Sequence, residues 1–180
     1  SVYASPSAHV VTAYGNAQID TAQSKFGGAS GLFDGAGDYL LTSDSVDWAF
    51  GGGDFTIDFR VRFNAFPAVG QSMVFCSQTT DLNNFWRFAI YCKDAIPTYA
   101  MTFQSYVAGA NEVWIEKTIT GGVALNIWYH CAIVRNGNNW HVFFDGVQQG
   151  TTGSSSASLT DFAQPLTIGS QTALNWGGVA

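Results

Sequence analysis

Residues 55–63 read Phe55-Thr56-Ile57-Asp58-Phe59-Arg60-Val61-Arg62-Phe63, with an apolar side chain at every second position and a polar or charged one between. Successive side chains of a strand point to opposite faces, so Phe55, Ile57, Phe59, Val61 and Phe63 share one side. Thr56, Asp58, Arg60 and Arg62 share the other. A helix would spread the five apolar residues around its whole circumference. The stretch therefore predicts a strand with one buried and one wet face, as antiparallel sheets produce.

The same period of two recurs on both sides of this stretch. Strands are predicted near residues 30–33, 39–42, 72–77, 85–91, 98–106, 112–119, 128–135, 140–144, 147–150 and 166–168. Turns are marked by Asp34-Gly35, Gly51-Gly52-Gly53, Ala108-Gly109-Ala110-Asn111, Asn136-Gly137-Asn138 and Asp145-Gly146, where residues tolerate positive φ. Residues 45–50 suit one short helical turn, and the low-complexity stretch 153–158 reads as a flexible loop. No internal repeat is evident. The reading is a single all-β domain spanning residues 1–180.

Composition agrees. The chain is 47% hydrophobic with 14 Phe, 7 Tyr and 6 Trp, so an aromatic core between two sheets is expected. Only 11% of residues are charged and the net charge is −6. A nucleic-acid surface needs clustered Lys and Arg to displace phosphate counterions, and the seven basic residues are scattered along the chain. Arg60 and Arg62 come nearest to a cluster and read as solvating a sheet face. No apolar run approaches the ~20 residues of a membrane-spanning helix. The first residues, Ser1 to Pro6, lack the basic and apolar regions of a signal peptide; a leader already removed, or export by virion assembly, would accommodate that. Cys76, Cys92 and Cys131 sit in apolar stretches and read as small buried hydrophobes, with one disulfide left open among them.

Three segments in order resemble the laminin-G-like branch of the concanavalin A-like lectin/glucanase superfamily. They are residues 25–40 (KFGGASGLFDGAGDYL), 53–63 (GDFTIDFRVRF) and 128–147 (WYHCAIVRNGNNWHVFFDGV). The resemblance covers roughly Gln18 to Gly169 and implies an antiparallel two-sheet jelly-roll β-sandwich. It also implies a place on bacterial surface proteins or on phage tail or capsid fibres. Such modules close with a further strand of Ile-Asp-x-Val/Leu-Arg pattern after a segment like Leu166-Thr167-Ile168-Gly169, whereas this sequence runs on to Trp176 and Ala180. A fragment, or a sheet completed by a neighbouring chain in a homo-oligomer, is the corresponding expectation.

The superfamily includes glycosidases, and Glu112 and Glu116 are the sole glutamates. Four residues along a strand separate backbones by ~13 Å, whereas a retaining glycosidase needs its carboxyl groups ~5–5.5 Å apart; a β-bulge would narrow the gap, but nothing in the sequence demands one. The pattern Glu-x-Asp-x-x-Glu of glucanases is matched only loosely, with Trp114 between the two acids. The same stretch reads better as a binding surface. Val113, Ile115 and Ile119 alternate toward the core, which turns Glu112, Trp114 and Glu116 outward. A turn centred near Gly109 sets Tyr106 opposite Glu112, Gln104 opposite Trp114 and Thr102 opposite Glu116. Aromatic rings take the C–H face of a sugar while amide, carboxylate and hydroxyl groups take its hydroxyls.

Trp86 reads either as a rim aromatic or as core. Asp81, Asn83 and Asn84 offer oxygens of the kind Ca2+ prefers, but Asn and Asp are ordinary turn residues, so no metal ligand is assigned and no cofactor is implied. His9, His130 and His141 show no paired-ligand spacing, and nothing resembles a nucleophile elbow. The Gly-rich segment 33–38 is not followed by a helix that would bind phosphate, and reads as a β-turn. The expected function is a non-catalytic glycan-binding or adhesive module at an extracellular surface or on a virion. Its partners would be glycans or other virion and surface subunits. A purely structural virion module and a glycoside hydrolase using Glu112 and Glu116 are the alternatives.

Overall fold

The computed structural model describes residues 9–94 and 98–171. Fourteen strands follow one another: β1 (Val11–Tyr14), β2 (Gln18–Asp20), β3 (Ser30–Leu32), β4 (Tyr39–Thr42), β5 (Phe55–Arg62), β6 (Ser72–Asp81), β7 (Asn84–Cys92), β8 (Tyr99–Val107), β9 (Ala110–Thr118), β10 (Trp128–Asn136), β11 (Asn139–Phe144), β12 (Val147–Gln148), β13 (Gly153–Ser154) and β14 (Leu166–Ile168). Among the described residues one 3-10 turn, Val46–Trp48, starts where the Ser45 hydroxyl accepts the Asp47 N–H. No helix among the described residues is long and apolar enough to cross a membrane.

Two antiparallel sheets face each other. One runs β1-β4-β14-β6-β7-β8-β9, the other β12-β11-β10-β5 with β13 on β11, and β2-β3 form a separate hairpin. This is the two-sheet jelly-roll sandwich that the resemblance implied, built from the half-buried antiparallel strands that the alternation predicted. In β5 the stretch 55–63 behaves as read: Ile57, Phe59 and Val61 face the opposing sheet, level with Ile133, Cys131 and Tyr129 of β10. No strand among the described residues pairs with the other edge of β5.

Aromatic rings join the sheets. Trp86 stacks on Phe103 with ring centres 5.9 Å apart, Phe103 meets Trp140 of the other sheet at 5.1 Å, and Phe55 meets Trp140 edge-on at 5.5 Å. Pairs of this kind contribute roughly 0.5–1.5 kcal/mol each beyond area burial. Arg135 is buried beneath this cluster. Its guanidinium lies 5.3 Å over the Trp140 ring and donates to the backbone oxygens of Gly137 and Gly51 at 2.9 and 3.1 Å, so the buried charge is solvated by peptide dipoles.

Two expectations need correction, while the reading of the cysteines as small buried hydrophobes holds. Strands β1 and β2 lie where no strand was read, because their short runs carry exposed apolar residues such as Val11 and Ile19 rather than a core-facing alternation. Gly153 and Ser154 are not loop: they pair with Trp140 and Asn139, where the missing Gly153 side chain leaves room for Ile115 and Trp140. The disulfide left open does not form; Cys76, Cys92 and Cys131 are all free and buried. The readings placed on residues 1–6 and 176–180 fall outside the described residues.

Candidate functional site

Alternation on β7 sends Trp86, Phe88, Ile90 and Cys92 into the core and leaves Phe85, Arg87, Ala89 and Tyr91 on the outer face of the seven-stranded sheet. Register carries that face sideways. Ser77 of β6 stands beside Arg87, Arg87 beside Gln104 of β8, and Gln104 beside Trp114 of β9. These four side chains form one row across the sheet, which ends on a Trp114 ring 51% exposed to solvent.

Arg87 is the centre of the row. Its Nε donates to Gln104 Oε1 at 2.8 Å and its Nη1 to Gln171 Oε1 at 3.0 Å, and its guanidinium lies 5.5 Å over the Phe85 ring. Burial pulls the Arg87 pKa down, and the nearby Tyr106 phenol offsets part of that effect. Gln171 is fully buried, and its Nε2 finds no acceptor among the described residues. In the adjacent row Phe85 stacks on Tyr106 with ring centres 5.1 Å apart. On the other side Glu116 stands beside Thr102 and accepts a 2.7 Å bond from the Lys93 ammonium, whose pKa the bond and charge of Glu116 raise. The face offers aromatic rings, amides and one guanidinium, the mixture suited to a polyhydroxylated ligand.

The structure brings together Trp114, Gln104, Tyr106 and Glu116 as the sequence suggested, with two changes. A β-bulge between Ser105 and Tyr106 sets Tyr106 opposite Asn111 instead of Glu112. One extra residue on β9 at this point shifts the pairing by a step and leaves Glu112 exposed and unpaired in the ladder. Gln104 does lie on the outer face but is only 5% exposed, because Arg87 holds it down. Trp86 is core, 1% exposed, and not a rim aromatic; its indole N–H donates to Gln78 Oε1 at 2.9 Å.

Sequence reading missed Arg87 and Gln171. The signal for Arg87 was available: it is the single charge in the apolar run 85–90, on the outward parity of its strand. Gln171 carried no local signal, because only folding brings it to Arg87 across 84 residues. Of the residues considered for Ca2+, Asp81 and Asn84 have their side-chain oxygens engaged in hydrogen bonds of the protein itself. Asp81 accepts from the Asn83 amide and the Asn84 side chain at 2.7 and 3.0 Å, and Asn84 Oδ1 accepts the Ala108 N–H at 3.0 Å. The histidines are dispersed: His9 bonds Asp47, His130 bonds Asp58, and His141 bonds Gln148. Among the described residues no group of three or more His, Cys, Asp or Glu converges as a metal site.

The fold is a jelly-roll sandwich of the concanavalin A-like class. Residues 34–179 match a Laminin_G_3 family model of the Concanavalin A-like lectin/glucanases superfamily, and the chain belongs to that family. No curated protein sequence matches it. Among solved structures, domain 4 of AbnA, a GH43 extracellular arabinanase from Geobacillus stearothermophilus determined with arabinotriose, aligns with TM-score 0.63 at 12% identity over 89% of this chain and 72% of that one. The enzymatically active domain of tailspike protein 2 from bacteriophage CBA120 aligns with TM-score 0.65 at 12% identity over 97% of this chain, which spans only 27% of the tailspike chain. The binding domain of botulinum neurotoxin DC, determined with SialylT, aligns with TM-score 0.60 at 16% identity over 89% of this chain and 38% of that one. At such identities the likeness is one of fold.

Proposed function

We propose that this chain is a non-catalytic carbohydrate-binding module of an extracellular surface or virion protein, and that it holds glycan on the outer face of the seven-stranded sheet. The observation that carries the reading is the row Arg87–Gln104–Trp114, which ends a polar, hydrogen-bonded strip on a half-exposed indole. The indole would stack on a sugar ring. Tyr106 and Glu116 beside it would take hydroxyls, as would the exposed Glu112 at the bulge, while Gln104 is held beneath them by Arg87. The arabinotriose on AbnA domain 4 and the SialylT on the neurotoxin domain are sugar ligands on similarly folded modules, and the tailspike supplies a virion setting. One feature favours recognition over hydrolysis: Glu116 is tied to Lys93 by a 2.7 Å ion pair.

The test is retardation in gels containing arabinan, β-glucan or bacterial surface polysaccharide. Retardation by one of these and its loss in Trp114→Ala is the expected result. Retention unchanged in that variant removes the outer face as the site. Release of reducing sugar from any of the three, abolished by Glu116→Gln, overturns the non-catalytic reading.

A further inference from the structure

We infer that the cleft between the β2–β3 hairpin and the end of β5 is a second binding site, one that takes an anionic sugar unit. The preference for an anion rests on the cleft itself; that the anion is a sugar rests on the carbohydrate-binding function proposed above. The cleft encloses about 410 Å³, at the small end of the ~300–1,000 Å³ typical of ligand sites and nearer to a single sugar unit than to a polymer.

Three of the seven Lys and Arg residues of the chain meet there: Lys25 from the connection between β2 and β3, and Arg60 and Arg62 from the outward face of β5. None of the three has a carboxylate within salt-bridge distance among the described residues. Arg62 donates to the Asn64 amide oxygen, a neutral acceptor. Asp20 also lines the cleft, and its Oδ1 accepts the Ala22 N–H at 2.8 Å. In a chain of net charge −6, concentrating cations around one concavity costs mutual repulsion and focuses a positive potential into it. A bound anion offsets that repulsion, and guanidinium groups suit the planar, two-oxygen shape of a carboxylate.

The remaining walls suit a sugar ring. Trp128, which opens β10 directly opposite Arg62, lines the cleft together with the apolar Leu40, Val61 and Ile168. Phe26 stands 68% exposed at the rim with the Arg60 guanidinium 5.8 Å from its ring centre, which holds both groups at the mouth. Charges along an unpaired strand edge also deter edge-to-edge association. Arg60 and Arg62 would serve that end from β5 alone; it explains neither Lys25 arriving from a separate loop nor the exposed ring that Arg60 covers.

The experiment titrates the full chain with sodium glucuronate, glucose and inorganic phosphate at low and at physiological salt, read by NMR shifts of the indole and guanidinium N–H signals. Glucuronate is expected to shift Trp128 and Arg60, to bind about tenfold more tightly than glucose, and to weaken as salt rises. Arg60→Gln with Arg62→Gln is expected to lose that preference, and Lys25→Gln to reduce it; Lys25 sits in an exposed loop, so its variant keeps the fold. Equal binding of glucose and glucuronate overturns the charge preference, and phosphate binding as tightly as glucuronate overturns the assignment to a sugar. Trp114→Ala is expected to leave this titration unchanged. Glucuronate binding here without polysaccharide retention at the outer face would sink the proposed outer-face site alone, whereas retention there with no response from Arg60 or Trp128 would sink this cleft alone.

Discussion

Arg87 Nε meets Gln104 Oε1 at 2.8 Å across β7 and β8, and the same guanidinium reaches Gln171 Oε1 at 3.0 Å from beyond β14. One cation thereby joins two amides that are far apart in the chain and fixes the polar floor beside Trp114. Its partners are neutral, so the charge is held by dipoles and by the Phe85 ring rather than by a carboxylate. On the proposed glycan-binding reading, such an arrangement would orient side chains before the glycan arrives and so lower the ordering cost of binding.

Arg87→Met is therefore expected to lower stability, because two buried amide oxygens lose their donor. A cost of about 1–3 kcal/mol is the scale for polar groups left unsatisfied. Arg87→Lys should recover little of it, since an ammonium cannot match the two-pronged geometry. Urea denaturation midpoints of the three proteins decide this; equal midpoints would mean that solvent satisfies both amides.

Trp86→Phe isolates the indole bond from the packing of the ring. Gln78 is fully buried, donates to the Gln164 oxygen at 2.7 Å and accepts from Trp86 at 2.9 Å. Phe keeps most of the ring contacts with Phe103 and Phe50 but leaves Gln78 Oε1 without a donor. A destabilisation of about 1–3 kcal/mol is expected from the unmet acceptor. The additional substitution Gln78→Leu should recover part of it, and a double-mutant cycle by urea melts measures the coupling.

The three cysteines should resist thiol reagents in the folded protein. Burial pushes the Cys76 thiol up to about 12 and raises Cys131 as well, so neither carries thiolate near neutrality. Dithionitrobenzoate at pH 8 is expected to label none of them within minutes in buffer, and all three in 6 M guanidinium. Rapid labelling of Cys76 in buffer would show that the β6–β14 region opens.

Asp38 predicts a response to acid. Its carboxylate is buried, which by itself opposes ionisation, yet amide N–H groups of Asp34 and Asn16 bond to it and hold its pKa below the ordinary carboxylate value. A depressed folded-state pKa stabilises the fold above the unfolded value, about 3.9, and that stability is lost as pH falls through the folded value. Asp38→Asn should destabilise the protein at pH 7 and flatten the decline of its melting temperature below about pH 4. Gly15 touches the same carboxylate: a Cβ there would stand 2.5 Å from Asp38 Oδ1, at φ +67°. Gly15→Ala should therefore lower the melting temperature as well.

The strands and their buried faces were legible because period-two alternation is a local property, and the sandwich through the resemblance of three ordered segments to a known family. Phe55 to Arg62 declares its buried face in its own residues, and the Asn136-Gly137-Asn138 turn is marked by the need for positive φ at Gly137. The pairing of Gln104 with Trp114 was legible too, since a short turn sets the register of the strands it joins. The bulge at Glu112 was not, because inserting one residue changes the pairing without changing the alternation of its neighbours. Trp86 stayed ambiguous for a related reason: an aromatic within an apolar run fits core and rim equally until a partner such as Gln78 is placed.

The sequence by itself determined the class of fold, the faces of the strands and the exposed Trp114, because each follows from side chains that are neighbours along the chain. Tertiary structure alone decided that Gln171 completes the Arg87 site and that Lys25 joins Arg60 and Arg62 around one cleft. Those groups come from segments tens of residues apart, and only the packing of separate strands and loops brings their charges and hydrogen bonds within reach of one another.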